Sequence, residues 1–109
     1  MSAETLQMDA MRLAAGEATR VLAALSNESR LLLLCQLTQG ERSVGELEEL
    51  VDLHQPSLSQ QLSVLRAQGL VTTRRDGKRI FYAIADARVQ AILDTLYRLY
   101  CPQKGCHDN

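Results

Sequence analysis

At 109 residues, 46% hydrophobic and 4% aromatic, the chain is long enough for one domain with a modest core and too apolar for wholesale disorder. No apolar run approaches the ~20 residues that span a bilayer. Residues 1–7 lack the basic stretch and apolar block of a secretory signal, so a cytoplasmic protein is expected. The net charge of −1 is unevenly spread: residues 1–52 carry −5, residues 53–85 carry +4, and the remainder balances. A positive segment in a mildly acidic chain is the footprint of an anionic partner, or simply a solvated basic hairpin.

In chain order, Leu6, Ala10, Leu13, Ala14, Val21 and Leu25 fall near helical spacing and predict a helix over 4–25, with Gly16 a potential break. Ser26 or Asn27 supplies the cap of a second helix, 28–38. Its apolar run Leu31-Leu32-Leu33-Leu34-Cys35 reads as a helix central in the core. Ser43-Val44-Gly45-Glu46 is a capping box opening a short helix to Val51, with Leu47 and Leu50 facing inward. After a turn at Asp52-Leu53-His54, Pro56 suits the first position of the next helix, which Gly69 closes. Leu58, Leu62 and Leu65 form the inner stripe of that helix. Two strand-like runs, 70–75 and 79–85, flank Asp76-Gly77-Lys78, a strong hairpin signal. Asp86 caps a last helix to about Tyr100, richer in apolar residues than a surface helix needs; Pro102 stops it, and a frayed tail over 102–109 is expected.

Two short helices joined by a tight turn, then a basic hairpin, is the order of a winged helix-turn-helix. The expected fold is mainly α: a single domain of about five helices plus a two-stranded wing, with residues 43–84 as the DNA-reading unit. The second helix of that unit presents Gln55, Ser57, Ser59, Gln60 and Gln61 at its N-terminal end. Glutamine can pair bidentately with adenine, serine can bond bases or phosphates, and a helix N-terminus favours a phosphate. Arg66 and the wing cations Arg74, Arg75, Lys78 and Arg79 supply charge for the flanking backbone. Each feature alone fits an ordinary solvated face; their conjunction favours double-stranded DNA. His54 at the turn suits a phosphate or solvent better than a metal. No nucleophile–base pair, phosphate loop or metal triad is visible, so neither an enzyme nor a cofactor is expected.

The stretches Ala24-Leu25-Ser26-Asn27-Glu28-Ser29-Arg30-Leu31, Gln55-Pro56-Ser57-Leu58-Ser59-Gln60-Gln61-Leu62-Ser63-Val64-Leu65-Arg66, Gly69-Leu70-Val71 and Arg79-Ile80-Phe81-Tyr82 resemble the ArsR/SmtB repressors over about residues 18–101. The resemblance implies a homodimeric repressor that releases DNA on meeting an inducer; the excess apolar surface of the last helix places the dimer interface on it and the first helix (about 87–101 and 4–25), and such a dimer is expected to read an inverted repeat. The resemblance also carries Gln55, Ser57, Ser59 and Gln60 over as DNA contacts. The metal-sensing patterns of the family are broken. Cys35 has Leu33 where a Cys-x-Cys pair needs a thiol, and the last helix has Asp86 and Asp94 but no His.

What remains is Cys35 on the core helix and Cys101 at the end of the last one, 66 residues apart. That arrangement resembles the persulfide-sensing branch of the family, the SqrR/BigR type, and implies a reactive sulfur inducer that bridges the two. Read without the resemblance, Cys35 in an apolar run favours simple packing. Cys106 and His107 could join Cys101 as a soft-metal clip, which keeps a metal or metalloid sensor open, as does a DNA-binding regulator with no cysteine switch.

Overall fold

Three of the five helices start where a short polar side chain accepts from the backbone N–H of an early helical residue, which satisfies a donor the helix itself cannot. The computed structural model describes residues 3–101. Its elements are α1 (Ala3–Leu25), α2 (Glu28–Leu37), β1 (Arg42–Ser43), α3 (Val44–Val51), α4 (Ser57–Ala67), β2 (Val71–Asp76), β3 (Arg79–Ile84) and α5 (Ala87–Tyr100). Asn27 Oδ1 accepts from Arg30 N–H at 3.1 Å and starts α2. The Ser43–Glu46 capping box is made on both sides: Glu46 N–H donates to Ser43 Oγ at 3.2 Å, and Ser43 N–H donates to Glu46 Oε1 at 2.8 Å. Asp86 opens α5 through Arg88 N–H at 2.7 Å.

α4 ends in a Schellman turn: Leu70 N–H reaches Leu65 O and Gly69 N–H reaches Arg66 O, both at 3.0 Å, with Gly69 at φ +74. The wing pairs Asp76 with Arg79, so the hairpin loop is Gly77-Lys78, with Gly77 at φ +64.

The structure adds a third strand to the expected two. β1 pairs antiparallel with β3 (Ser43 opposite Phe81), giving the order β1-β3-β2. A two-residue strand has no periodicity to read. It pins the start of α3 to the base of the wing. Pro56 caps α4 rather than occupying its first turn, following a left-handed Asp52 and a cis Gln55–Pro56 peptide.

The core is a leucine cluster: Leu33, Leu34 and Leu37 of α2 meet Leu47 of α3, Leu58, Leu62 and Leu65 of α4, and Val89 and Leu93 of α5. Three expectations fail here. α2 is not apolar-buried on all sides, because Leu32 is exposed. Leu50 is 48% exposed, since α3 turns its inner face through Leu47. α1 runs unbroken through Gly16, and only its last turn, Ala24 and Leu25, is buried; Leu6 and Leu13 lie open. The projecting helix stretches the molecule to 55 × 35 × 21 Å with a radius of gyration of 16.3 Å, above the ~13 Å typical of a compact domain this long. No helix among the described residues is long and apolar enough to cross a membrane. The tail expected to fray, 102–109, lies outside the described residues.

Candidate nucleic-acid interface

Burial of Leu58, Leu62 and Leu65 orients α4, and the opposite face is left to solvent. Ser57, Ser59, Gln60, Ser63 and Arg66 are exposed on it, with Gln55 just ahead of the helix. No side chain caps α4. Ser59 Oγ is hydrogen-bonded to Gln55 Oε1, so these two candidate contacts present as a linked pair.

Gln61 is placed differently from its neighbours. It is half-buried, and its Oε1 accepts from Arg30 Nη1 of α2 at 3.0 Å. Three residues beyond Leu58 on a helix, it lies beside the inner stripe, which the expected outward cluster overlooked.

An open groove of about 610 Å3 joins helix to wing. Gln55, Ser59 and Ser63 line it from the helix side, and Lys78, Arg79 and Tyr82 from the wing. Ser63 and Tyr82 were not singled out from sequence. Ser63 could have been, being four residues after Ser59 on the same face, whereas Tyr82 needed the β1-β3 register.

The wing cations divide into two kinds. Arg74 forks onto Glu41, Nε to Oε2 at 2.9 Å and Nη2 to Oε1 at 2.6 Å, and lies 4.6 Å from the Phe81 ring centroid. The Arg74 guanidinium holds the Glu41 carboxyl below its usual pKa, so the pair persists at neutral pH. Arg79 lies 4.9 Å from the same ring and donates to Ser43 Oγ at 3.1 Å. Arg75 and Lys78 are exposed, and neither forms an ion pair among the described residues. Thus Arg75 and Lys78 are free to meet phosphate, whereas Arg74 must first leave Glu41. Glu41→Gln should release Arg74, tighten DNA binding and steepen log K against log salt by about one. An unchanged slope in fluorescence-anisotropy titrations would assign Arg74 to the wing's own structure.

His54 sits at the turn between Glu48 (Nδ1 to Oε2, 3.3 Å) and Asp52 (Nε2 to Oδ1, 3.5 Å), all exposed. No group of three His, Cys, Asp or Glu side chains able to hold a metal occurs among the described residues.

The cysteines lie outside the groove. Cys35, on α2, is a half-buried free thiol, and burial raises its pKa above the ordinary value. Cys101 caps the end of α5, its N–H donating to Tyr97 O at 3.0 Å. It is disulfide-bonded, but not to Cys35. Gln90 Nε2 of α5 reaches Thr38 O at 3.5 Å, tying α5 to the end of the helix that carries Cys35. Arg98, one turn before Cys101, reaches back to Thr95 Oγ1 at 3.5 Å. Cys106 and His107 lie outside the described residues.

Residues 27–73, which include α2, α3 and α4, match the family described as bacterial regulatory protein, arsR family. The biofilm growth-associated repressor of Agrobacterium fabrum is 46% identical over 96 residues, 88% of this chain and 82% of that one. The transcriptional activator HlyU of Vibrio cholerae is 41% identical over 88% of this chain and 89% of its own. Among solved structures, the transcriptional repressor BigR from Xylella fastidiosa superposes with a TM-score of 0.82 at 45% identity, covering 88% of this chain and 98% of that one.

Proposed function

The chain belongs to the arsR family of bacterial regulatory proteins, and on that premise we propose that it is a dimeric, cytoplasmic, operator-binding repressor that lets go of DNA when Cys35 and Cys101 are joined through sulfur. The observation that carries the DNA-binding part is the single groove in which the polar face of α4 meets the basic wing. In this reading Gln55, Ser57, Ser59 and Gln60 read base edges or adjacent phosphates, and Arg66, Arg75 and Lys78 take the backbone. Arg74 and Arg79 join as their protein contacts exchange for phosphate, and Gln61 steadies the helix. The relatives from Agrobacterium and Xylella are named repressors and the one from Vibrio an activator, so the repressor reading follows the former.

The dimer rests on apolar surface that the single chain leaves open. Leu6, Met8, Met11 and Leu13 of α1 and Tyr97, Leu99 and Tyr100 of α5 are all exposed. Such side chains on two helices are more apolar surface than a free monomer ordinarily shows to water. A two-fold dimer presents two α4 helices about 34–36 Å apart, one DNA turn, and so reads an inverted repeat.

In the sulfur chemistry the persulfide is itself the two-electron oxidant, its sulfane sulfur leaving as sulfide. The Cys35 thiolate takes the terminal sulfur of a low-molecular-weight persulfide, forming Cys35–S–SH and releasing the parent thiol. Attack of the Cys101 thiolate on the inner sulfur closes Cys35–S–S–Cys101 and expels HS−. Cys101 must first be freed from its present disulfide by thiol exchange. When a second persulfide molecule also loads Cys101, its Cys101–S–S− attacks the Cys35 sulfur of Cys35–S–SH and expels HS−; the trisulfide so formed is longer by about 2 Å and relaxes the ~7 Å Cα limit of a plain disulfide.

Operator release with glutathione persulfide, peroxide, arsenite and Zn(II), compared side by side with mass spectrometry of the product, tests the reading. Persulfide should release DNA and join Cys35 to Cys101. Release by arsenite or Zn(II) alone would assign the tail residues Cys101, Cys106 and His107 to a metal or metalloid sensor. Release by none would leave a regulator without a cysteine switch.

A further inference from the structure

Arg30 occupies the corner where α1, α2 and α4 meet, and its guanidinium faces no carboxylate among the described residues. Its fork is divided between two helices. Nε donates to Ala24 O at 2.8 Å and Nη2 to Ala23 O at 3.5 Å, carbonyls of the last turn of α1. Nη1 donates to Gln61 Oε1 of α4 at 3.0 Å. Its backbone N–H is held by the Asn27 cap. Among the side-chain hydrogen bonds of the described residues, the Arg30–Gln61 bond alone joins α4 to another helix.

The chemistry suits a rigid link. A cation at a helix C-terminus is favoured by the dipole, and Arg30 gives Ala24 O a donor the helix does not supply, while Ala23 O is shared with Ser26. A planar guanidinium can serve acceptors in two directions at once with little loss of freedom, whereas an ammonium on a flexible stem cannot. The other contacts of α4 are apolar packing, which tolerates small sliding, while a charge-assisted hydrogen bond is directional. The helix at one end of this link is α1, whose exposed face is assigned to the dimer, and at the other is the helix assigned to DNA.

We propose that Arg30 is a positioning residue that fixes α4 relative to α1 and thereby sets how strictly the dimer reads the spacing of its two half-sites. The proposal rests on the dimeric DNA-binding reading above. The apolar core still folds without the link, but each α4 can tilt on its leucine stripe, so the two helices no longer hold one separation.

The test uses the duplex that the full-length protein selects from a random pool, and versions of it with one base pair added or removed between half-sites. Binding is measured by fluorescence anisotropy for wild type, Arg30→Met, Arg30→Lys, Gln61→Met and the double variant Arg30→Met/Gln61→Met, with dimer mass and thermal midpoint recorded for each. Arg30→Met should bind the selected duplex about tenfold more weakly, the scale of one charge-assisted hydrogen bond. It should also lose much of the wild-type penalty for altered spacing. Arg30→Lys keeps the charge at the α1 carbonyls and should lose spacing discrimination in the same direction, so a misfolded Arg30→Met does not stall the test. The double variant should be no weaker than the worse single one, because both break one link. Equal weakening at every spacing would make Arg30 a general stabiliser and overturn the proposal, as would wild-type discrimination in Arg30→Lys. If the wild type selects no duplex at all, the DNA-binding reading fails and the link falls with it.

Discussion

Leu99→Glu combined with Tyr100→Glu should give a folded monomer that no longer holds operator DNA. Both side chains are among the most exposed apolar groups of the molecule, at 69% and 79%, so a carboxylate there strains nothing within the single chain. In a dimer built on α5 and the projecting part of α1, the same carboxylates would be buried without partners, which is prohibitive. The core of α5 is turned the other way, through Val89 and Leu93, and stays intact. Losing the second half-site removes the gain from bivalent attachment, about 10²- to 10⁴-fold in affinity. Light scattering should report the monomer and anisotropy the lost binding. Leu99→Ser with Tyr100→Ser should move both readings in the same direction, which separates lost apolar contact from added charge. A variant that remains dimeric would place the interface elsewhere.

The second large effect concerns the proposed cysteine switch. Cys35→Ser should bind operator as the wild type does and fail to release it under persulfide, a loss of the whole induced change of about 5- to 150-fold. Serine is nearly isosteric, and the site is only half-buried, so the core around Leu34 and Leu37 is undisturbed. The raised thiol pKa adds a pH signature. Because the thiolate reacts, the rate of Cys35 modification should keep climbing with pH beyond the range where a free cysteine has levelled off. In linkage terms the folded state holds the Cys35 proton more tightly than the unfolded one. Its contribution to stability is complete below the unfolded pKa and fades as pH rises through the folded value. Normal release by Cys35→Ser would show that sensing does not pass through this thiol.

The winged helix-turn-helix was legible because its signals are local. The Ser43–Glu46 box, the Leu58-Leu62-Leu65 stripe, the Gly69 stop and the Gly77 hairpin each lie within a few residues, and each stands where expected. What was not legible depends on partners far along the chain. Arg74 looked like a free phosphate ligand, but Glu41 holds it from 33 residues away, and Gln61 looked outward until Arg30 claimed it across 31. The exposure of Leu6, Leu13 and Leu32 had a different cause: helical spacing says that a face is apolar but not whether its own chain or another covers it. The cysteines were found as residues, and their pairing was not, because a separation of 66 residues along the chain says nothing about distance.

In the proposed dimer, the projecting α1 would tie the regulator's output to its abundance. Where folding is completed only by association, the thermal midpoint climbs with protein concentration, and dilution itself is a destabilising condition. Operator occupancy then varies with the square of protomer concentration wherever free monomer predominates, so a twofold fall in synthesis removes about three-quarters of the competent species. A cell could thus empty the operator by making less of the protein, without any inducer, and the exposed helix would make that response steeper than for a regulator that binds as a single chain.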